Sequence, residues 1–161
     1  MFKNFILNML VLAFLLSGCS KYSEVRRSLD FLKTDSFQCD VVQVIYGDMF
    51  YCQLSDRETE KIKLIGVEIP EPIEGKAAAF TKSLLKRGTP VKLEFNKETR
   101  DRYGHILAYV YLPGGKLLNS LLIQEGYARV VINLSDVRYK DLFLNLQKEA
   151  KEQGKGFWGI K

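Results

Sequence analysis

Residues 44–71 read V-I-Y-G-D-M-F-Y-C-Q-L-S-D-R-E-T-E-K-I-K-L-I-G-V-E-I-P-E, and this stretch decides the fold. β-branched and aromatic residues flank Gly47 and Asp48, which is typical of two strands joined by a tight turn. After a polar turn, a third strand is predicted from Thr59 to Val67, and Pro70 stops regular structure. The stretch therefore predicts the first three strands of a β-rich domain.

Charged side chains stand at the ends of these predicted strands. Asp48 lies in the turn, Glu68 follows the third strand, and Glu71 comes just after the proline. Because strand residues alternate between faces, Lys63 points away from its apolar neighbours, to the polar side. Carboxylates held on strands beside a cation can bind a hard metal ion next to a phosphate. The plainer alternative is that Asp48 serves only the turn and that the other groups are solvated surface charges.

The same residues open a longer series of motifs. Gly47-Asp48 and I-K-L-I-G-V-E-I-P-E are followed by G-K-A-A-A-F-T-K from Gly75, D-R-Y-G-H-I-L-A-Y-V-Y from Asp101, N-S-L-L-I-Q-E-G-Y-A from Asn119, and Trp158. In this order they resemble the staphylococcal nuclease (thermonuclease-like) family over roughly residues 37–161. The resemblance implies an OB-fold barrel with helices, and cleavage of DNA and RNA with Ca²⁺.

The hydrophobic pattern agrees with that fold class, which is α+β with a five-stranded OB-fold β-barrel and about three helices. The predicted strands are Cys39–Tyr46, Met49–Leu54, Thr59–Val67, Val91–Phe95 and Tyr103–Leu112, and the predicted helices are Lys76–Lys86, Leu117–Gln124 and Arg138–Gln153. The pattern by itself leaves other α+β folds open.

The resemblance assigns roles to the acidic stretch. Asp48 matches an aspartate that ligates Ca²⁺ in the family, and Glu68 matches a second metal-ligating aspartate but is one methylene longer. Ile69 matches a threonine whose backbone carbonyl binds the metal, a contact that survives a change of side chain. Glu71 matches the glutamate that activates or positions the attacking water, since a carboxylate can accept a proton from metal-polarised water.

Two cationic positions depart from the family pattern. Lys63 and His105 fall where the family has arginines that grip the phosphate and stabilise the charge growing on it. Arginine is planar and always charged, lysine offers one compact ammonium, and histidine is charged only near or below about pH 6.5. If His105 must be protonated, activity is expected to fall above about pH 7. Arg102 and Tyr103 match residues that contact the terminal phosphate of a bound nucleotide, so both are expected to bind substrate.

Neighbouring positions depart further from the family. Tyr46 and Met49 replace an acidic residue and a threonine beside the metal, which removes polar support for the ligands. Ile132 and Leu134 stand where the family has two tyrosines that wall the base pocket. Stacking on an aromatic ring contributes about 1–3 kcal/mol per base, so nucleotide binding is expected to be weaker or its pocket differently shaped.

The N-terminus reads as a targeting segment. Lys3 precedes an apolar run from Phe5 to Leu16, followed by Ser-Gly-Cys. A membrane span needs about 20 apolar residues, so this shorter run is typical of a signal-peptide core. L-S-G-C resembles the bacterial lipobox, in which Cys19 is lipidated and becomes the mature N-terminus. The alternative is an N-terminal hydrophobic helix with a chance cysteine.

The predicted organisation follows from this segment. Residues 1–18 are the lipoprotein signal peptide, residues 19–36 are the lipidated cysteine and a tether, and residues 37–161 are the nuclease-like domain. The protein is thereby expected to be extracytoplasmic and anchored to a membrane of the cell envelope through Cys19.

Two cysteines remain if Cys19 carries lipid. Cys39 and Cys52 lie on the two arms of the predicted hairpin, outside the cytoplasm, where disulfides persist. A disulfide between them is therefore predicted, and two buried free thiols are the alternative.

Composition sets further limits. With 47% hydrophobic residues the chain supports one domain with its own core, expected to be monomeric. The net charge of +5 is mild; it favours anionic partners but marks no dense nucleic-acid patch. A single histidine and no cysteine pair at zinc spacing exclude an ordinary zinc site, and no P-loop or dinucleotide fingerprint is present.

Two classes of function remain. The first is a Ca²⁺-assisted endonuclease that hydrolyses phosphodiester bonds of DNA or RNA, single-stranded substrates included, outside the cytoplasm. The substituted charged positions keep their sign of charge, which favours a retained metal and anion site. The second is a catalytically weak or inactive OB-fold module that binds nucleic acid or another anionic ligand, or an envelope scaffold. The loss of both family arginines favours this second class.

Overall fold

The computed structural model describes residues 36–54, 58–96, 98–131 and 138–160, all within one compact unit that spans residues 35–161. The predicted signal peptide, Cys19 and nearly all of the tether lie outside the described residues, as do Ile132 and Leu134. Within the described ranges, no helix is both long and apolar enough to cross a membrane.

The strands are β1 (Ser36–Tyr46), β2 (Met49–Gln53), β3 (Thr59–Leu64), β4 (Val67–Glu68), β5 (Pro90–Glu94), β6 (Ile106–Tyr111) and β7 (Arg129–Val130). Five of them close into a barrel in the order β1-β2-β3-β6-β5. Neighbouring barrel strands are antiparallel, except that β3 and β6 run parallel. Two short strands, β4 and β7, form a separate antiparallel sheet.

Apolar side chains that alternate along the strands fill the barrel, as the period of two requires. The buried residues include Val41, Val44, Phe50, Cys52, Ile62, Leu64, Val91, Leu93, Ile106 and Ala108. The pairing of β1 with β2 shifts register twice, between Val41 and Gln43 and between Val44 and Tyr46. Such irregularities bend a strand and increase its twist, which helps a small sheet to close.

Three helices surround the barrel: α1 (Glu74–Leu84), α2 (Leu118–Gln124) and α3 (Lys140–Glu152). Fully buried Asn119 attaches α2 to the sheet. Its Oδ1 accepts a 3.1 Å hydrogen bond from the Val110 backbone N–H, and its Nδ2 donates a 2.8 Å hydrogen bond to the Ile65 carbonyl. Since buried polar groups need partners, this one amide satisfies two backbone groups that α2 covers.

The fold class predicted from the sequence is confirmed. Most element ends differ from the prediction by one to three residues, and three of these differences lie beside the candidate site. The third strand stops at Leu64, because Gly66 takes a left-handed conformation with φ of 75° and turns the chain into β4. Helix α1 begins at Glu74, two residues earlier than predicted, directly after a single 3-10 turn at Glu71–Ile73. β6 begins at Ile106 and not at Tyr103, because a hydrogen-bonded loop precedes it.

The predicted disulfide is confirmed. Cys39 and Cys52 are joined with Sγ atoms 2.03 Å apart and Cα atoms 5.8 Å apart. In the β1–β2 register Cys52 lies opposite Val41, so Cys39 reaches it diagonally from two residues away. Both cysteines are buried, and the bond therefore ties two neighbouring strands together inside the barrel.

Candidate functional site

The turn that carries Asp48 is held from two sides. Thr81 Oγ1 on α1 donates a 2.7 Å hydrogen bond to the Gly47 carbonyl oxygen, and the Leu64 N–H on β3 donates a 2.9 Å hydrogen bond to the Asp48 carbonyl oxygen. A Cβ atom on Gly47 would come within 2.7 Å of the Ala77 Cβ. Only glycine permits this approach, so Asp48 is fixed where the hairpin, β3 and α1 meet.

Burial and three charged neighbours act on the pKa of the Asp48 carboxyl. Burial raises its pKa, the nearby Lys63 ammonium lowers it, and the charges of Glu74 and Glu68 raise it again. Lys63 is on the neighbouring strand, where its register partner is Met49. The structure thus brings three carboxylates and one ammonium close enough to act on one another at this end of the barrel.

Glu68 lies on the edge of this group and has a partner that the sequence did not predict. It faces Arg129 across the small sheet, and Arg129 Nη2 is 3.1 Å from Glu68 Oε2. The two side chains are 45% (Arg129) and 59% (Glu68) exposed. The pair is therefore solvated, and ligands from solution can compete with either member.

The residues between β4 and α1 include two further predicted site residues, Glu71 and Ile69. Glu71 is exposed and opens the 3-10 turn. Ile69 runs past the turn, with its Cδ1 3.3 Å from the position that a Cβ on Gly47 would take. Across the described ranges, no three His, Cys, Asp or Glu side chains are gathered into a ready metal cluster. Asp48, Glu68 and Glu74 are thus electrostatic neighbours and not a preformed cage.

His105 lies at the entry to β6, two residues before Leu107, which is the register partner of Lys63. Its Nδ1 is 2.9 Å from Asp101 Oδ2, and both side chains are largely buried. The two predicted replacements for arginine therefore come from one parallel strand pair. The orientation of the His105 ring is fixed by its contact with the Asp101 carboxylate.

The predicted substrate-binding residues extend from His105 into solvent. Tyr103 is 67% exposed, and its ring centroid is 6.0 Å from that of His105. Arg102 Nη2 donates a 2.7 Å hydrogen bond to the Tyr103 hydroxyl, and the guanidinium carbon lies 4.8 Å from the ring centroid. A cation and an aromatic ring thus lie exposed next to the largely buried imidazole, an arrangement suited to phosphate and base.

Three residues of this region were missed by sequence reasoning. The predicted helix begins at Lys76 and so omits Glu74, although Glu74, Ala77 and Thr81 have the spacing of one helical face. Asp101 precedes His105 by four residues, and an aspartate at such short range can accept hydrogen bonds from the backbone N–H groups of its own loop. This local signal could have indicated Asp101. Arg129 had no usable signal, because its contact with Glu68 joins residues far apart in the chain.

Comparison with known proteins agrees with the motif resemblance. Residues 61–159 match the family model described as staphylococcal nuclease homologue. A thermonuclease of Staphylococcus intermedius is 37% identical over 127 residues, which cover 73% of this chain and 74% of that protein. A thermonuclease of Staphylococcus hyicus is 35% identical over 127 residues, 73% of each chain. Endonuclease YncB of Bacillus subtilis is 33% identical over 125 residues, 74% of this chain and 56% of that protein.

Proposed function

The chain belongs to the staphylococcal nuclease family, and from this premise we propose that it is a Ca²⁺-assisted endonuclease that hydrolyses phosphodiester bonds of single-stranded DNA or RNA. As a member of this family it is a hydrolase of the nuclease class. The observation that carries the proposal is the position of Asp48, a half-buried carboxylate on which Lys63, Glu74 and Glu68 all act.

The chemistry of this donor set fits a hard divalent cation. Burial and the neighbouring carboxylates raise the pKa of Asp48, so its ionised form carries a cost that a bound cation would offset. Asp48, Glu68 and the backbone carbonyl of Ile69 would hold the ion, since oxygen atoms are the ligands that Ca²⁺ prefers. When bound, Ca²⁺ would polarise the phosphate and the attacking water.

The remaining side chains serve the phosphate and the water. Glu71, exposed at the start of the 3-10 turn, accepts the proton of the attacking water. Lys63 supplies a fixed positive charge from β3, where strand pairing limits its movement. His105 faces the phosphate from the entry to β6, with its ring orientation set by Asp101. Charge that develops on the phosphate is stabilised by groups already in place.

Arg102 and Tyr103 extend the site along the substrate. The guanidinium is stacked on the phenol ring and bonded to its hydroxyl, which orders two exposed side chains before substrate arrives. The terminal phosphate of a bound nucleotide would meet the Arg102 guanidinium and the Tyr103 hydroxyl.

The proposal extends to location: the protein acts outside the cytoplasm and is anchored to the membrane through lipidated Cys19. The disulfide between Cys39 and Cys52 supports this, because such bonds are typical of oxidising compartments. Metabolic labelling with a fatty acid would test the anchor. Label is expected in the wild-type protein and absent from Cys19→Ser, and label that persists in the variant would contradict it.

Cleavage of labelled single-stranded DNA and RNA tests the activity. The full chain is incubated with Ca²⁺, and then with a chelator in excess. Cleavage is expected with Ca²⁺ only, and Glu71→Gln should reduce the rate by about 10²–10⁴-fold, the range for a lost general base. Lys148→Gln on the exposed face of α3 is the matched surface control.

The outcomes separate the alternatives. A folded protein that cuts neither nucleic acid would overturn the enzyme proposal, and salt-sensitive binding of the same oligonucleotide would then favour a binding module. If Glu74→Gln abolishes cleavage while Glu71→Gln does not, the water is served by Glu74, and the role proposed for Glu71 is wrong.

A further inference from the structure

Asp101 organises the loop that carries His105. Its Oδ1 accepts hydrogen bonds from the backbone N–H groups of Tyr103 at 2.9 Å and of His105 at 3.0 Å. Its Oδ2 is 2.9 Å from His105 Nδ1. Gly104 completes the loop in a left-handed conformation with φ of 82°, and its carbonyl oxygen accepts a 2.6 Å hydrogen bond from Arg100. One carboxylate therefore sets both the backbone and the ring of His105.

The protonation of Asp101 determines which ring nitrogen of His105 carries hydrogen. Burial by itself would raise the pKa of Asp101, but the hydrogen bonds from the His105 ring and from the backbone of His105 and Tyr103 lower it overall. An ionised carboxylate can only accept hydrogen bonds. Nδ1 must therefore be the donor in this contact, and Nε2, across the ring, is the nitrogen left to gain or lose a proton.

We propose that Asp101 is a positioning residue that keeps hydrogen on His105 Nδ1 in both the charged and the neutral ring, so that Nε2 of the imidazolium serves as the proton donor to the leaving oxygen of the cleaved phosphodiester. This inference rests on the proposed nuclease function. It gives His105 a different task from the arginine at the matching position, because a guanidinium stays protonated whereas an imidazole can release its proton near neutral pH.

In the proposed step Glu71 starts as a carboxylate and His105 as an imidazolium. The water oxygen forms a bond to phosphorus, and its proton passes to the Glu71 carboxylate. The phosphorus–oxygen bond to the leaving nucleotide breaks, its electron pair stays on the leaving oxygen, and that oxygen takes the proton from His105 Nε2. His105 ends neutral with hydrogen on Nδ1, still bonded to Asp101, and solvent returns the two groups to their starting protonation states.

Other charged and titratable groups surround the His105 loop. Tyr103 lies beside the imidazole, and Arg102 is stacked on Tyr103. Arg100 donates a hydrogen bond to the Gly104 carbonyl oxygen of the loop. Its Nη2 is also 2.7 Å from Glu60 Oε1 on β3. On the same strand pair, Lys63 is opposite Leu107. Asp101 is the group bonded directly to the ring, so its removal is the sharpest test.

Asp101→Asn is the matched variant. The asparagine Oδ1 can still accept the two backbone hydrogen bonds, so the loop is retained, while the amide NH₂ can only donate toward Nδ1. Nitrogen-15 NMR of the ring reports the tautomer without any turnover. The neutral wild-type ring is expected to carry hydrogen on Nδ1 and the Asp101→Asn ring on Nε2. A wild-type ring with hydrogen on Nε2 would overturn the proposal.

Leaving-group chemistry tests the role of Nε2. His105→Asn removes the Nε2 proton donor but keeps a short polar side chain. It should slow DNA cleavage by about 10²–10⁴-fold. A thymidine phosphodiester whose leaving group is 4-nitrophenolate, which departs without a proton, should lose less than about tenfold. Asp101→Asn should show the same contrast, with a reduction of about 10- to 100-fold on DNA that appears in kcat and not in KM.

The results distinguish this inference from the function on which it rests. Equal losses on both substrates would mean that His105 only stabilises charge, and the inference would be wrong while the nuclease function stands. Failure of the wild-type protein to cleave DNA would overturn the function itself. DNA cleavage by His105→Arg at the wild-type rate would show that a fixed positive charge is enough, and the inference would then be wrong, because a guanidinium stays protonated.

Discussion

Glu68 and Arg129 face each other across β4 and β7, and Arg129 Nη2 lies 3.1 Å from Glu68 Oε2. A proposed metal ligand is thus already paired with a guanidinium. A divalent cation that recruits Glu68 must therefore compete with Arg129.

Arg129→Gln is expected to tighten Ca²⁺ binding by about 1.4- to 5-fold, because exposed ion pairs contribute only ~0.2–1 kcal/mol. Titration calorimetry with Ca²⁺ alone measures this without turnover. Arg129→Lys, which keeps the positive charge, is the control. Weaker Ca²⁺ binding in Arg129→Gln would instead mean that Arg129 holds Glu68 in its ligating position.

Gly47→Ala is expected to destabilise the domain by about 1–3 kcal/mol, the usual range for overpacking. The new Cβ would lie 2.7 Å from the Ala77 Cβ and push α1 away from the turn that holds Asp48. Gly75→Ala, which lies in α1 itself, is the control, because a Cβ at Gly75 would meet nothing within 4 Å. Urea unfolding compares the two variants, and equal stabilities would refute the close approach.

Asn119→Ala is expected to lower the free energy of unfolding by about 2–6 kcal/mol. It leaves the Val110 N–H and the Ile65 carbonyl without their partner, and each unsatisfied buried group costs roughly 1–3 kcal/mol. Asn119→Asp keeps the acceptor but sets a carboxyl oxygen against the Ile65 carbonyl in a buried position, so it should destabilise the domain at least as much as Asn119→Ala. A loss below about 1 kcal/mol in Asn119→Ala would show that water or a neighbouring group replaces the amide.

Reduction of the Cys39–Cys52 disulfide is expected to lower stability by about 3 kcal/mol, as the chain-entropy model gives for a short loop. The urea midpoint with and without reductant measures this loss. A Cys39→Ala/Cys52→Ala protein should match the reduced protein and should not respond to reductant. An unchanged midpoint on full reduction would show that packing alone holds β1 and β2 together.

Acid stability should depend on Asp101. Its pKa is lower in the folded protein than in the unfolded chain, so the folded state is favoured above the unfolded pKa and this contribution is lost as pH falls through the folded pKa. The stability of the wild-type protein should therefore drop more steeply below about pH 4 than that of Asp101→Asn. Chemical unfolding at a series of acidic pH values measures both slopes. Parallel slopes would exclude a contribution from Asp101.

Local and patterned features were readable in the sequence. Alternation of apolar residues predicted the barrel strands, because burial of one strand face imposes a period of two. The turn at Gly47 and Asp48 and the pairing of Cys39 with Cys52 follow from residues close together in the chain. The order of the motifs from Gly47 to Trp158 predicted the family and, with it, the fold.

The partners of the site residues were decided by tertiary structure. Glu74 acts on Asp48 because α1 packs against the hairpin turn, and Arg129 reaches Glu68 because β7 returns to pair with β4. These contacts join residues that are far apart in the chain, and no local pattern or propensity encodes them. The sequence by itself determined which chemical groups the protein has and which face of each strand they occupy. Only the closed barrel, with its helix and small sheet packed at one end, decided which charge stands beside which, since burial and distance set the energy of each pair.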